Sequence, residues 1–357
     1  MAALVYPFEG IPPSGTSVEV APGIRWVRMP LPFSLDHINL WLIEDGDGWA
    51  IVDTGLRGRH VKESWEQIFA SDLGGRPVTR IFVTHYHPDH IGQAGWLTHR
   101  WQAPLLMSRT DFLFAKMLSL DIRDEPPAEA MDFYRRCGWD AEQLEAYRGR
   151  GYGGFAKGVT RLPVQFERLQ EGETVSIGGR DWRIMVGRGH APEHICLFSP
   201  DLNVLISGDQ VLPRISSNVS VMPTEPEANP LEDWLTSLRA FRAVLPEDVL
   251  VLPAHNEPFR GAHHRLDRLV DGHEARLVDL LDRCAEPRRV IDVFSVLYRR
   301  RIDLADIGLA TGEALAHLHC LVGRGLLTRE TDAEGIRWWR RAASSAAAAD
   351  AAGGLVG

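Results

Sequence analysis

One six-residue stretch restricts this 357-residue chain more than any other: His85-Tyr86-His87-Pro88-Asp89-His90. It follows Arg80-Ile81-Phe82-Val83-Thr84, a β-branched and aromatic run of strand length. It precedes Ile91-Gly92-Gln93-Ala94-Gly95-Trp96-Leu97, which reads as the start of a helix. Imidazoles and a carboxylate are the donors that borderline divalent metals such as zinc prefer. In extended chain, residues two apart point the same way, so His85 and His87 can grip one ion. Asp89 and His90 turn into the helix and can face a second ion beside the first. A merely polar turn with solvated histidines would not call for so dense a set of ligand-type side chains.

The rest of the chain repeats this device. Apolar runs of strand length end in Asp53-Thr54-Gly55, Gly189-His190, Ser207-Gly208-Asp209 and Ala254-His255. In layered α/β folds the sheet holds strand ends rigid while loops vary, so sites collect there. Further strands are expected over residues 24–28, 38–43, 164–166, 174–177 and 195–198, and a helix over 59–71, after an irregular lead-in of residues 1–23. Residues 109–161 read as a helical insertion, with helices over 111–120, 128–137 and 141–148. It is either a lid or a packing excursion, and Tyr134, Tyr147, Tyr152 and Phe155 are its substrate-reaching candidates. The catalytic unit is expected over 1–262 and a polar linking helix within 263–287, its His263, His264 and His273 solvated. Residues 288–341 read as helices over 290–300, 305–310 and 312–322 followed by a hairpin, the pattern of a winged helix. His317 and His319 in that module are expected to pack rather than bind metal. The Ala- and Gly-rich residues 342–357 read as a disordered tail.

Taken in order, Asp53-Thr-Gly, His85-Tyr-His-Pro-Asp-His90, Gly189-His190, Ser207-Gly-Asp209 and Ala254-His255 resemble the motifs of the metallo-β-lactamase superfamily over about residues 24–262. The resemblance implies a mixed α/β fold, the four-layer αβ/βα sandwich, holding two divalent ions per chain, zinc first and iron or manganese as alternatives. Carried over, His85, His87 and His190 hold the first ion; Asp89, His90 and His255 hold the second; Asp209 bridges them. Asp53 then orients a ligand from behind, and His194 is a structural or orienting residue. The implied chemistry is hydrolysis by a metal-bridging hydroxide, with Asp89 or Asp209 passing a proton. The bridging Asp209 departs from the true β-lactamases, and His87 departs from the oxygen-reducing branch. The seven ligands match glyoxalase II, whose glutathione-binding segment is not recognisable here. Small thioesters, esters or lactones are the expected substrates, and a metal-dependent endoribonuclease guided by the winged helix is the alternative. His37, Arg214 and Asn218 are candidate substrate contacts, Arg214 through bidentate binding of a carboxylate or phosphate.

Composition decides among partners. A net charge of −9 argues against a general nucleic-acid binder, which needs positive surface to displace counterions. The basic cluster Arg299, Arg300, Arg301, Arg337, Arg340 and Arg341, beside Trp338 and Trp339, therefore reads as a packing or dimerisation surface before a nucleic-acid one. No run approaches the roughly 20 apolar residues of a membrane span. The four cysteines are widely separated, and no signal peptide is evident, so a cytoplasmic protein with a small-molecule substrate is expected. A homodimer would suit the added helical module.

Overall fold

The computed structural model describes residues 4–343. Its chain divides into two compact units, and the first comprises Met1–Ile122, Gly153–Ser217 and Ser237–Asp267. Seven strands run in sequence order across one sheet of this unit: β1 (Ser17–Ala21), β2 (Ile24–Pro30), β3 (His37–Asp45), β4 (Gly48–Val52), β5 (Val78–Phe82), β6 (Leu105–Met107) and β7 (Glu167–Arg168). The second sheet holds β8 (Thr174–Ile177), β9 (Arg180–Gly187), β10 (His194–Ser199), β11 (Val204–Gly208) and β12 (Leu250–Pro253) in the order β12-β11-β10-β9-β8. Neighbours pair antiparallel except from β4 to β7 and between β11 and β12, which run parallel.

Period-two alternation explains the layers. On β2 and β3, Trp26 and Trp41 face one way, stacked at 6.3 Å, and join Ile184, Leu197 and Ile206 of the second sheet in one core. Val27, Leu40 and Leu42 face the other way, against helix α1 (Arg59–Ala70), α2 (Pro88–Ile91), α3 (Ala94–Trp101) and α4 (Arg109–Leu120). Both faces of β3 are thus covered, which is why its sequence reads as a continuous apolar run. The layering is the metallo-β-lactamase αβ/βα sandwich.

Local expectations shift in several places. The lead-in contains a strand, β1, and the helix after His90 is broken into α2 and α3. Residues 164–166 form no strand; the edge of the sheet is the two-residue β7.

The second unit comprises Arg123–Tyr152, Asn218–Thr236 and Arg268–Gly357. Two of the three helices of the 109–161 insertion, Ala128–Arg136 and Ala141–Arg148, therefore belong to it, and α4 belongs to the first unit. Tyr134 and Tyr147 pack there in an aromatic cluster with Trp139, whose Nε1 donates to Thr311 Oγ1 at 2.9 Å. The helices expected over 305–310 and 312–322 are a single helix, Ile307–Gly323. Thr311-Gly312 reads as a break, yet the glycine marks close packing: a Cβ there would stand 2.7 Å from Ser220 Cβ. The expected helix over 290–300 shortens to Val290–Val293 and Phe294–Leu297, because Tyr298 is already extended. The hairpin is present as β13 (Leu327–Thr331) and β14 (Arg337–Arg341). The greater part of the expected tail, residues 344–357, lies outside the described residues. No helix among the described residues is long and apolar enough to cross a membrane.

Candidate metal centre

Strand ends of both sheets of the first unit converge on one cluster. The chain leaves β4 at Asp53 and β12 near Asn256 with positive φ, 61° and 67°, which Asp and Asn tolerate better than most residues. Gly208 closes β11 because a Cβ there would meet His194 Cε1 at 2.5 Å. These turns set two groups of ligand-type atoms: His85, His87, His190 and Asp209 in one, and Asp89, His90 and His255 in the other, each mutually within 4.8 Å. Asp209 faces both. Its Oδ2 lies 3.3 Å from His190 Nε2, and its Oδ1 lies 3.5 Å from His90 Nε2 and 3.4 Å from His255 Nε2.

The far nitrogens of the rings are held from behind. His90 Nδ1 lies 2.8 Å from Asp53 Oδ2, and His255 Nδ1 donates to the His37 carbonyl at 2.7 Å. His85 Nδ1 meets Thr84 Oγ1 at 3.1 Å, and Thr84 donates through its N–H and hydroxyl to Asp53. Such outer partners fix tautomer and ring orientation, aiming the other nitrogen into the cluster. His194, buried beneath, accepts the Asp209 N–H at 3.0 Å and stacks on His85 at 4.6 Å.

Charge decides what the cluster suits. Burial opposes ionisation of Asp209, yet His255 and His90 hold its carboxyl well below the usual range. Against burial, His90 lies nearest Asp53 and is pushed well above its ordinary value, and Asp209 takes His255 up to about 10. Burial and the neighbouring His190 take His87 down to about 3. In one group His85 and His87 are thus held as neutral imidazoles beside a carboxylate, and the other calls for positive charge. His90 Nε2 and Asp209 Oδ1 are buried with no hydrogen-bond partner, an arrangement that is costly unless a cation lies between them. The donor set fits divalent ions.

Three expected substrate contacts are otherwise engaged. His37 bonds Asp36 through Nδ1 at 2.6 Å and accepts the Asn256 N–H at 2.8 Å, so its ring steadies the loop carrying His255. Arg214 is exposed, pairing with Glu257 at 3.1 Å and lying over Tyr6. Asn218 lies in the second unit, donating to Glu313 at 3.3 Å. Two residues that the sequence does not single out prove central: Thr84, and Asp111 at the start of α4. Asp111 is fully buried and accepts the Tyr86 N–H at 3.1 Å and the Glu193 N–H at 2.8 Å, tying the His85–His87 loop to the His190–His194 loop. Ser108, whose hydroxyl caps α4, was the one available signal for it.

Known proteins match this architecture. The family model described as the metallo-beta-lactamase superfamily matches residues 34–255, and that described as the metallo-beta-lactamase-like C-terminal domain matches 277–342. A crystal structure of a beta-lactamase domain protein from Burkholderia ambifaria is 43% identical, with a TM-score of 0.88 over 95% of this chain and 98% of that one. A metallo-beta-lactamase family protein from Thermus thermophilus is 27% identical with a TM-score of 0.74, over 90% and 99%. A protein described as acyl-coenzyme A thioesterase MBLAC2 from Gallus gallus is 26% identical over 70% of this chain and 83% of its own length. The chain belongs to the metallo-beta-lactamase superfamily of hydrolases and carries that superfamily's C-terminal domain.

Proposed function

We propose that this chain is a dinuclear metal-dependent hydrolase of small acyl thioesters. The observation that carries the reading is the shared carboxylate: one oxygen of Asp209 faces each ligand group. His85, His87 and His190 would hold one ion, and Asp89, His90 and His255 the other. Bound divalent ions supply a Lewis acid for the carbonyl oxygen and acidify a water. Asp53, Thr84, the His37 carbonyl and His194 keep the ligands oriented.

Proton handling points to the leaving group. Asp89 and Asp209 are both held below the usual carboxylate range: burial opposes this, and the flanking His90 and His255 outweigh it. Ionised carboxylates accept a proton from the attacking water but offer none in advance to a leaving amine. A thiol ionises near pH 8.5, so a thiolate departs without prior protonation. A thioester substrate is also what the names of two relatives describe: the thioesterase from Gallus gallus and an atrochrysone carboxyl ACP thioesterase from Aspergillus fumigatus, 23% identical over 66% of this chain and 41% of its own length.

In the second unit, part of the basic cluster that the rival ribonuclease reading needs is engaged within the protein. Arg337 pairs with Glu227 at 2.7 Å, Arg300 with Asp306, and Trp339 is buried. An activity panel on metal-loaded protein tests both readings, with Asp209→Ala as the blank. Thioester turnover that falls by at least 1,000-fold in the variant, on the order of 4 kcal/mol, is the expected outcome. Cleavage of single-stranded RNA without acyl turnover would overturn it.

A further inference from the structure

Helix α1 begins beside the metal loops with its charges reversed. Anions are stabilised at a helix N-terminus, yet the first turn of α1 contains no acidic residue and its N-cap, Gly58, offers no side-chain acceptor. Cations occupy the place instead. Arg57, Arg59, Lys62 and Lys157 line an open cavity of about 540 Å³ together with Gln93 and Trp96. Arg59 is paired with Glu63 at 2.7 Å. The other three have no carboxylate partner among the described residues: Arg57 reaches only the carbonyls of Ala156 and Val159, and Lys62 lies 5.2 Å over the Trp96 ring. Three uncompensated cations in one concavity of a chain with net charge −9 concentrate positive potential where a ligand can enter.

Chain segments that line the cavity run directly into the metal motif. The segment 53–58 starts at Asp53 and ends in the cavity, and it is tied to the metal motif by the Thr54 N–H, which donates to the His90 carbonyl at 2.7 Å. Gln93 follows His90 by three positions and donates to the Gly58 carbonyl at 3.1 Å. On the opposite wall, Gly158 lies so close to Pro88 that a Cβ would stand 2.8 Å from the Pro88 Cβ, and Phe155 stacks on Tyr86 at 6.2 Å. Lys157 therefore sits on a segment laid across the His87-Pro88-Asp89 turn.

We propose that this cavity binds the phosphates of coenzyme A, the carrier end of the thioester substrate; the proposal rests on the thioesterase reading above. Coenzyme A brings three phosphate groups for three cations that lack a carboxylate partner, and a flexible arm leading from the phosphates to the sulfur. Binding energy at this distance from the reacting carbon would appear as substrate preference.

The test pairs kinetics with binding. An acyl-coenzyme A is compared with the same acyl group on N-acetylcysteamine, a thioester without phosphate, in the native protein and in the double variant Lys62→Ala, Lys157→Ala. Both lysines are exposed, so the fold is expected to survive. The ratio of kcat/KM for the two thioesters should fall at least tenfold in the variant, and raised salt should lower it in the native protein. Separately, calorimetric titration with adenosine 3′,5′-bisphosphate should show binding to the native protein that the variant loses. An unchanged ratio, or turnover of both thioesters without bisphosphate binding, would overturn the site and leave the thioesterase reading intact. Bisphosphate binding through these lysines, with neither thioester turned over, would uphold a phosphate site and overturn the thioesterase reading.

Discussion

Two sets of buried histidines, one in each unit, are built to opposite ends. In the first unit His85, His90 and His255 sit among Asp53, Asp89 and Asp209, and their far nitrogens are fixed by oxygen acceptors. In the second, His273 and His317 are equally buried and bond each other, Nδ1 to Nε2 at 3.2 Å, while His317 Nδ1 donates to the Glu313 carbonyl at 2.8 Å. Burial outweighs the carboxylate of Glu274, which acts on His273. Burial accordingly takes them down to about 3 and about 4, as neutral rings in a core. Burial alone does not make a metal site; the carboxylates that accompany the imidazoles do.

The largest effect that would break this contrast comes from Asp53. Replacing it with Ala removes the carboxylate that holds His90 Nδ1 and accepts from Thr84, and leaves the Thr84 hydroxyl as the remaining oxygen beside both His85 Nδ1 and His90 Nδ1. Metal affinity or turnover should drop about 10- to 100-fold, read by competition with a chromogenic chelator. A variant that binds metal like the native protein would show the outer carboxylate to be dispensable.

A smaller effect is expected at Asp111, whose carboxyl burial raises to about 6 against the pull of the Glu193 and Tyr86 N–H groups. In Asp111→Asn the amide nitrogen must face one of those donors, so one buried hydrogen bond is lost. A cost of about 1–3 kcal/mol in denaturant unfolding is expected, with a several-fold loss of turnover as the two histidine loops loosen.

The smallest effect concerns the second unit. The folded state keeps His273 and His317 neutral, whereas the unfolded chain titrates them near 6.5. The unfolded state therefore binds more protons below that value, and stability falls as the pH drops from about 6.5 towards 4. His317→Gln should flatten this slope in thermal melts while leaving bound metal unchanged. Loss of metal from that variant would erase the distinction between the two sets.

The contrast also shows what a sequence of this kind discloses. The ligands were legible because each follows an apolar strand and sits in a dense local pattern, as at His85–His90, or beside a turn residue, as at Gly208-Asp209. Thr84 and Asp111 were not, since their roles depend on partners brought close only by folding: Asp53 for the first, Glu193 for the second. His37 was legible as a residue near the centre but not as the support of the His255 loop, because its contact with that histidine runs through a backbone carbonyl. His273 lies on a polar helix and reads as solvated, yet it is buried against His317 44 residues away. Thr311-Gly312 reads as a break because close approach of residue 220 leaves no local trace.

The most direct test of the shared-carboxylate centre is a titration of chelator-stripped protein with zinc, following hydrolysis of an acyl thioester against equivalents bound per chain. Turnover should rise until two equivalents are bound and stay at background throughout in Asp209→Ala. Full turnover without added metal, or turnover in Asp209→Ala equal to that of the native protein, would contradict the two-metal assignment.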